Sequence, residues 1–168
     1  MIMIKFCNLI YFNLYKLGLL INEMSVYPIN NFLFKNNKKG EEVIKAVKEV
    51  SENKKNGIKI TLAGMHFYAL VYLFILGSIN SVLICLQEVN IAININDDNL
   101  LLLLCIPSVI FAYFLIDYKD RYLDYFKYFE KFTTKKKRIW AFISLLTVIF
   151  LWFWGFGSLI LRLILNNN

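Results

Sequence analysis

The sequence predicts an all-α membrane protein. It has three transmembrane helices, an N-terminal interfacial helix and a small cytoplasmic layer of amphipathic helices. Three observations lead there. The first is a set of apolar runs at 62–86, 100–116 and 139–165, none of which contains a lysine, aspartate or glutamate. Each is close to the roughly 20 residues that an α-helix needs to cross a hydrocarbon core about 30 Å thick. The single arginine among them, Arg162, lies near the end of the third run.

The second observation is composition. Of 168 residues, 58% are hydrophobic and 17% aromatic, and a soluble domain of this length would break its apolar segments with polar faces. The third is the order of the charges. Residues 1–61 carry ten lysines against five acids, residues 87–99 carry only Glu88, Asp97 and Asp98, and residues 117–138 carry eight basic residues against four acids. Basic loops stay cytoplasmic, so this alternation places the N-terminus inside, 87–99 outside, 117–138 inside and the C-terminus outside. The expected location is a cell inner (plasma) membrane. The expected organisation is a cytoplasmic and interfacial region over 1–61 and a three-span region over 62–168, with a cytoplasmic helix at 117–132.

The first segment, MIMIKFCNLIYFNLYKLGLLINE, begins like a signal peptide but lacks an uninterrupted apolar core and a small-residue cleavage site. At helical spacing Lys5, Lys16 and Glu23 fall on one line, with Ile10, Leu14, Leu17 and Ile21 opposite. That is the pattern of a helix lying in the interface. A fourth span over 2–22 stays open as the alternative, at the cost of placing two lysines at depth.

Pro28 and Asn30–Gly40 read as an irregular connector. GEEVIKAVKEVSENKKNG follows, with Val43, Val47 and Val50 at i, i+4, i+7 and Glu–Lys pairs four apart, closed by Asn56–Gly57. A helix of about 14 residues is marginal alone and should dock on something. The first span carries Gly77, Asn80 and Ser81, small and polar groups that favour packing against another helix over facing lipid. Between the first two spans, Val89, Ile91, Ile93 and Ile95 alternate with polar residues, a strand-like pattern without a partner strand.

The second span contains Pro107, where a kink is expected. It is then expected to continue as an amphipathic helix through DYKDRYLDYFKYFEKF. Tyr118, Tyr122, Tyr125, Phe129 and Phe132 form an aromatic stripe on that helix. Two uses compete for it. One is contact with headgroups or a soluble partner. The other is docking against the valines of the 41–52 helix. Thr133–Arg138 is expected to turn the chain back, with Lys135, Lys136, Lys137 and Arg138 at the headgroups and Trp140 anchoring the third span. In that span Gly155 and Gly157 read as close-packing positions.

Asp117, Asp120 and Asp124, spaced i, i+3, i+7, are the sharpest candidate for chemistry. On one continuous helix they would share a face and could hold Mg²⁺. Opposite an aromatic stripe, such a run is more simply a solvated face. His66 is the only histidine, which excludes an HExxH zinc site, and no Walker loop or Gly-x-Ser-x-Gly elbow is present. Cys7, Cys85 and Cys105 form neither a CxxC nor a metal spacing. No catalytic, metal or cofactor residue is assigned. The net charge of +7 is explained by lysines beside membrane spans, and no nucleic-acid motif accompanies it.

The stretch from Lys119 to Trp140, an aromatic–lysine helix followed by TTKKKRIW and a long apolar span, resembles uncharacterised small multi-pass inner-membrane proteins of bacteria. The abundance of Ile, Asn and Lys fits an AT-rich genome. The resemblance implies a membrane location and brings no activity with it. The sequence therefore points to a non-enzymatic accessory or scaffold subunit. Its partners would be anionic headgroups, with a cytoplasmic protein or a second copy of the chain as further possibilities. The alternative is an oligomeric membrane-perturbing effector or pore subunit of a toxin or defence system, for which the chain offers only Ser78, Asn80, Ser81, Ser144 and Thr147 as polar lining.

Overall fold

The computed structural model describes the chain except for residues 1, 22, 25–27, 29–37, 89–96 and 167–168. The helices are α1 (Ile2–Ile21), α2 (Lys38–Glu52), α3 (Ile58–Glu88), α4 (Asp97–Leu115), α5 (Arg121–Glu130) and α6 (Thr134–Asn166). No strand occurs among the described residues. The alternating segment 89–96 lies outside them, as does most of the connector. Lys38–Gly40, expected in that connector, already belong to α2.

Among the described residues, four stretches are long and apolar enough to cross a membrane: Ile2–Ile21, Ile58–Leu86, Leu101–Glu130 and Thr134–Leu165. The third is not one continuous helix. After α4 the chain makes a single 3-10 turn at Tyr118–Asp120, with Lys119 at φ 60° and Asp120 at φ 52°. Two successive left-handed residues, neither of them glycine, cost about 1–2 kcal/mol each and redirect the backbone. The expected continuation of the second span as one amphipathic helix is thereby corrected: α5 is a separate helix. α4 itself runs through Pro107 without interruption.

The chain forms two units, 1–67 with 120–132 and 68–119 with 133–168. In the first, α1 packs on α5, and aromatic rings fill the seam. Phe12 meets Phe126 at 5.1 Å and Phe129 at 5.7 Å, while Tyr11 meets Tyr122 and Phe126 at 5.5 Å. Tyr15, Phe126 and Phe129 are essentially inaccessible. Such ring pairs contribute about 0.5–1.5 kcal/mol each beyond the area they bury. α1 buries Asn8, Leu9, Ile10, Tyr11, Phe12 and Tyr15, so that of the expected apolar arc Ile10 is covered while Leu17 and Ile21 remain exposed.

The second unit packs by close approach. Ring atoms of Trp154 lie over Gly77, so that a Cβ there would stand 2.6 Å from Nε1. A Cβ on Gly155 would stand 2.9 Å from Leu73 Cβ and 3.0 Å from its carbonyl oxygen. Small residues at both points let α3 and α6 touch backbone to side chain. Leu76, Leu83 and Leu104 form a buried cluster with Tyr72, Ile79 and Leu101 around it. The outer faces of α4 and α6 remain apolar and exposed, from Leu102, Leu103 and Ile106 to Phe142, Phe150, Phe153 and Ile164. A surface of that kind suits hydrocarbon rather than water.

Candidate membrane and partner interface

The aromatic stripe splits under the structure. Tyr122 and Phe129 are buried against α1, together with Phe126, which the sequence reading left out of the stripe. The cover that Tyr122 and Phe129 find is α1 and not the expected valines of α2. Val43, Val47 and Val50 remain 49–61% exposed. The physical reason is size: α1 offers Tyr11, Phe12 and Tyr15, whose rings fill the spaces between those of α5, and three valines do not. Tyr125 stacks on Phe129 at 6.0 Å, Phe132 packs against Tyr128 at 5.2 Å and Tyr118 lies 5.7 Å from Phe114.

Three phenols close the turn between α2 and α3. The Tyr15 hydroxyl donates to the carbonyl of Glu52 at 2.8 Å, Tyr11 to Ile60 at 3.2 Å and Tyr122 to Lys55 at 3.4 Å. Glu52 ends α2, where helix carbonyls lack intrahelical donors, so Tyr15 serves there as a C-terminal cap. Asn53 folds the turn, its Oδ1 accepting from the backbone N–H of Lys55 at 2.8 Å and of Asn56 at 3.2 Å. Ion pairs surround this core: Lys54 with Glu130 at 2.8 Å, Lys16 with Glu130 at 3.7 Å and Lys55 with Asp120 at 3.4 Å. Sequence reasoning missed these phenol–carbonyl bonds. A tyrosine where phenylalanine would pack as well was the only signal.

The three aspartates do not share a face. Asp117 accepts from the Tyr68 hydroxyl, Asp120 pairs with Lys55, and Asp124 lies 3.7 Å from Lys127. The left-handed break between Asp117 and Asp124 removes the helical continuity on which their common face depended. Among the described residues no three His, Cys, Asp or Glu side chains group as metal ligands. His66 Nδ1 lies 2.7 Å from the Leu62 carbonyl on its own helix.

The basic run is helical rather than a turn. α6 starts at Thr134, and Thr133 caps it, accepting at its carbonyl from Lys137 N at 2.9 Å and at its hydroxyl from Lys136 N at 3.4 Å. Lys135, Lys136, Lys137 and Arg138 are all exposed in that first turn, followed by half-buried Trp140. The helix dipole disfavours cations at an N-terminus by about 0.3–1 kcal/mol each.

Of the packing positions, Gly77 and Gly155 are in close contact, whereas nothing lies within 4 Å of a Cβ built on Gly157. Asn80 is fully buried and accepts at Oδ1 from Arg162 Nη1 at 3.2 Å. The hydroxyls named as a pore lining bond back to their own helices: Ser78 to Phe74, Ser81 to Gly77, Ser144 to Trp140 and Thr147 to Ile143, at 2.8–2.9 Å. No family model matches the chain, and neither a curated protein nor a solved structure is detectably similar to it.

Proposed function

We propose that the protein is a non-enzymatic accessory or scaffold subunit of a bacterial inner membrane, meeting anionic lipid or a protein partner through a basic cytoplasmic face. In this reading α3, α4 and α6 are its three spans, and α1 and α5 lie together at the cytoplasmic interface. The N-terminus is cytoplasmic and the C-terminus extracytoplasmic.

The observation that carries the reading is the α1–α5 pair. α5 holds Arg121, Asp124, Lys127 and Glu130 within ten residues. A transmembrane α1 would draw those charges toward the hydrocarbon, where each costs roughly 2.5–3.5 kcal/mol. At the interface the same pair closes its aromatic face internally and leaves lysines outside. The exposed first turn of α6 supports this. Four cations at a helix N-terminus oppose the dipole, and anionic headgroups, which attract each by about 1 kcal/mol, offset that. The internal bonding of the candidate pore hydroxyls weighs against a channel.

Cysteine labelling on the full chain tests the arrangement. Asp97→Cys should label from outside and Lys54→Cys should not. Replacing Lys135, Lys136, Lys137 and Arg138 by Gln should mix the orientations. Uniform orientation in that variant, or labelling of both cysteines from one side in the native background, would sink the reading. Ion flux through reconstituted vesicles would favour the pore.

A further inference from the structure

Between α1 and α5 lies an open cleft of about 570 Å³ lined by Ile2, Lys5, Arg121, Asp124, Tyr125 and Tyr128. Its chemistry is mixed in a particular way. Lys5 donates to the Tyr128 hydroxyl at 3.0 Å, with its ammonium 4.3 Å from that ring's centroid. Lysine is thus held at the wall of the cleft. Arg121 supplies a second, planar cation suited to phosphate oxygens. Asp124 adds one carboxylate, and its pairing with Lys127 is an exposed contact at 3.7 Å, of the kind that contributes little and exchanges readily. At the lip Ile2 is 88% exposed, an apolar side chain placed beside the cations.

Two cations, one carboxylate and an apolar lip match one class of ligand. We propose that this cleft is a headgroup site for an aminophospholipid. Its phosphate sits between Lys5 and Arg121, with Tyr125 beside it in the wall of the cleft. Its primary ammonium meets Asp124, and its acyl chains leave along Ile2. A purely anionic headgroup would meet Asp124 unfavourably. A choline headgroup has no N–H to give that carboxylate. A free phosphate would make no use of the apolar lip. The proposal rests on the interfacial placement of α1 and α5.

The test uses the full chain, delipidated in detergent and titrated separately with phosphatidylethanolamine, phosphatidylglycerol, phosphatidylcholine and inorganic phosphate. Bound molecules are counted by native mass spectrometry. Phosphatidylethanolamine should be retained in preference to the other three. The double variant Lys5→Gln/Arg121→Gln should lower that retention about tenfold or more, the scale of losing charge-assisted contacts. Asp124→Asn, exposed and unable to disturb the core, should erase the preference over phosphatidylglycerol. Lys45→Gln/Lys48→Gln on α2, which removes equal charge outside the cleft, should leave retention unchanged. Equal loss in that control, a native preference for phosphatidylglycerol, no lipid preference, or displacement by inorganic phosphate would each overturn the site. The orientation assay on residues 135–138 reads the basic-face proposal separately, so either can fail alone.

Discussion

α2 and α5 are both short amphipathic helices of the same unit, yet they end differently. α5 turns Tyr122, Phe126 and Phe129 into α1 and exposes almost nothing of them. α2 leaves Val43, Val47 and Val50 largely open. Periodicity alone does not separate the two. What separates them is side-chain size and what the rest of the chain can offer. A seam of rings needs a facing surface of rings, and α1 provides one. It also provides hydroxyls that satisfy the turn at the end of α2. The comparison teaches that an amphipathic pattern states a need for cover without naming the cover.

The largest expected effect comes from emptying the covered side. Phe126→Ala removes a fully buried ring that touches Tyr11, Phe12, Tyr15 and Tyr122. It should destabilise the first unit by about 3–5 kcal/mol, read as a lowered midpoint in denaturant unfolding of the detergent-solubilised chain. Gly155→Val intrudes on Leu73 and should cost roughly 1–3 kcal/mol in the second unit by the same measurement. A cost confined to the first unit would show that ring packing, and not close helix approach, dominates stability. Asn80→Ala withdraws a buried acceptor from Arg162 and should cost about 1.5–3 kcal/mol, seen as earlier proteolysis near residue 162. Glu130→Gln removes two partly exposed ion pairs, with Lys54 and Lys16, and should change the midpoint by no more than about 1 kcal/mol. Val47→Ser, on the open face, should be the smallest, within about 0.5 kcal/mol. A large loss at Val47 would mean that α2 is covered after all and would break the comparison.

Much of this was legible from residues 62–86, 100–116 and 139–165, because uninterrupted apolar length is a one-dimensional property. The helix at 38–52 was legible from its valine spacing for the same reason. The break at Lys119 and Asp120 was not. Neither residue is glycine or proline, and both fit a continuing helix, so nothing local announced a left-handed pair. Without that break, Asp117, Asp120 and Asp124 read as one face. The partner of the aromatic stripe was not legible either. It lies more than a hundred positions earlier in the chain, and Lys5 and Lys16 obscured the aromatic face of α1. Those lysines turn out to reach Tyr128 and Glu130.

The pairing of α1 with α5 is best tested by crosslinking in native membranes. In a chain whose three native cysteines are replaced by alanine, Phe12→Cys with Phe126→Cys should join efficiently through a short bifunctional thiol reagent. Val47→Cys with Phe126→Cys should not. Efficient joining of the second pair with none of the first would mean that α2, not α1, covers the stripe, and would contradict the account at its centre.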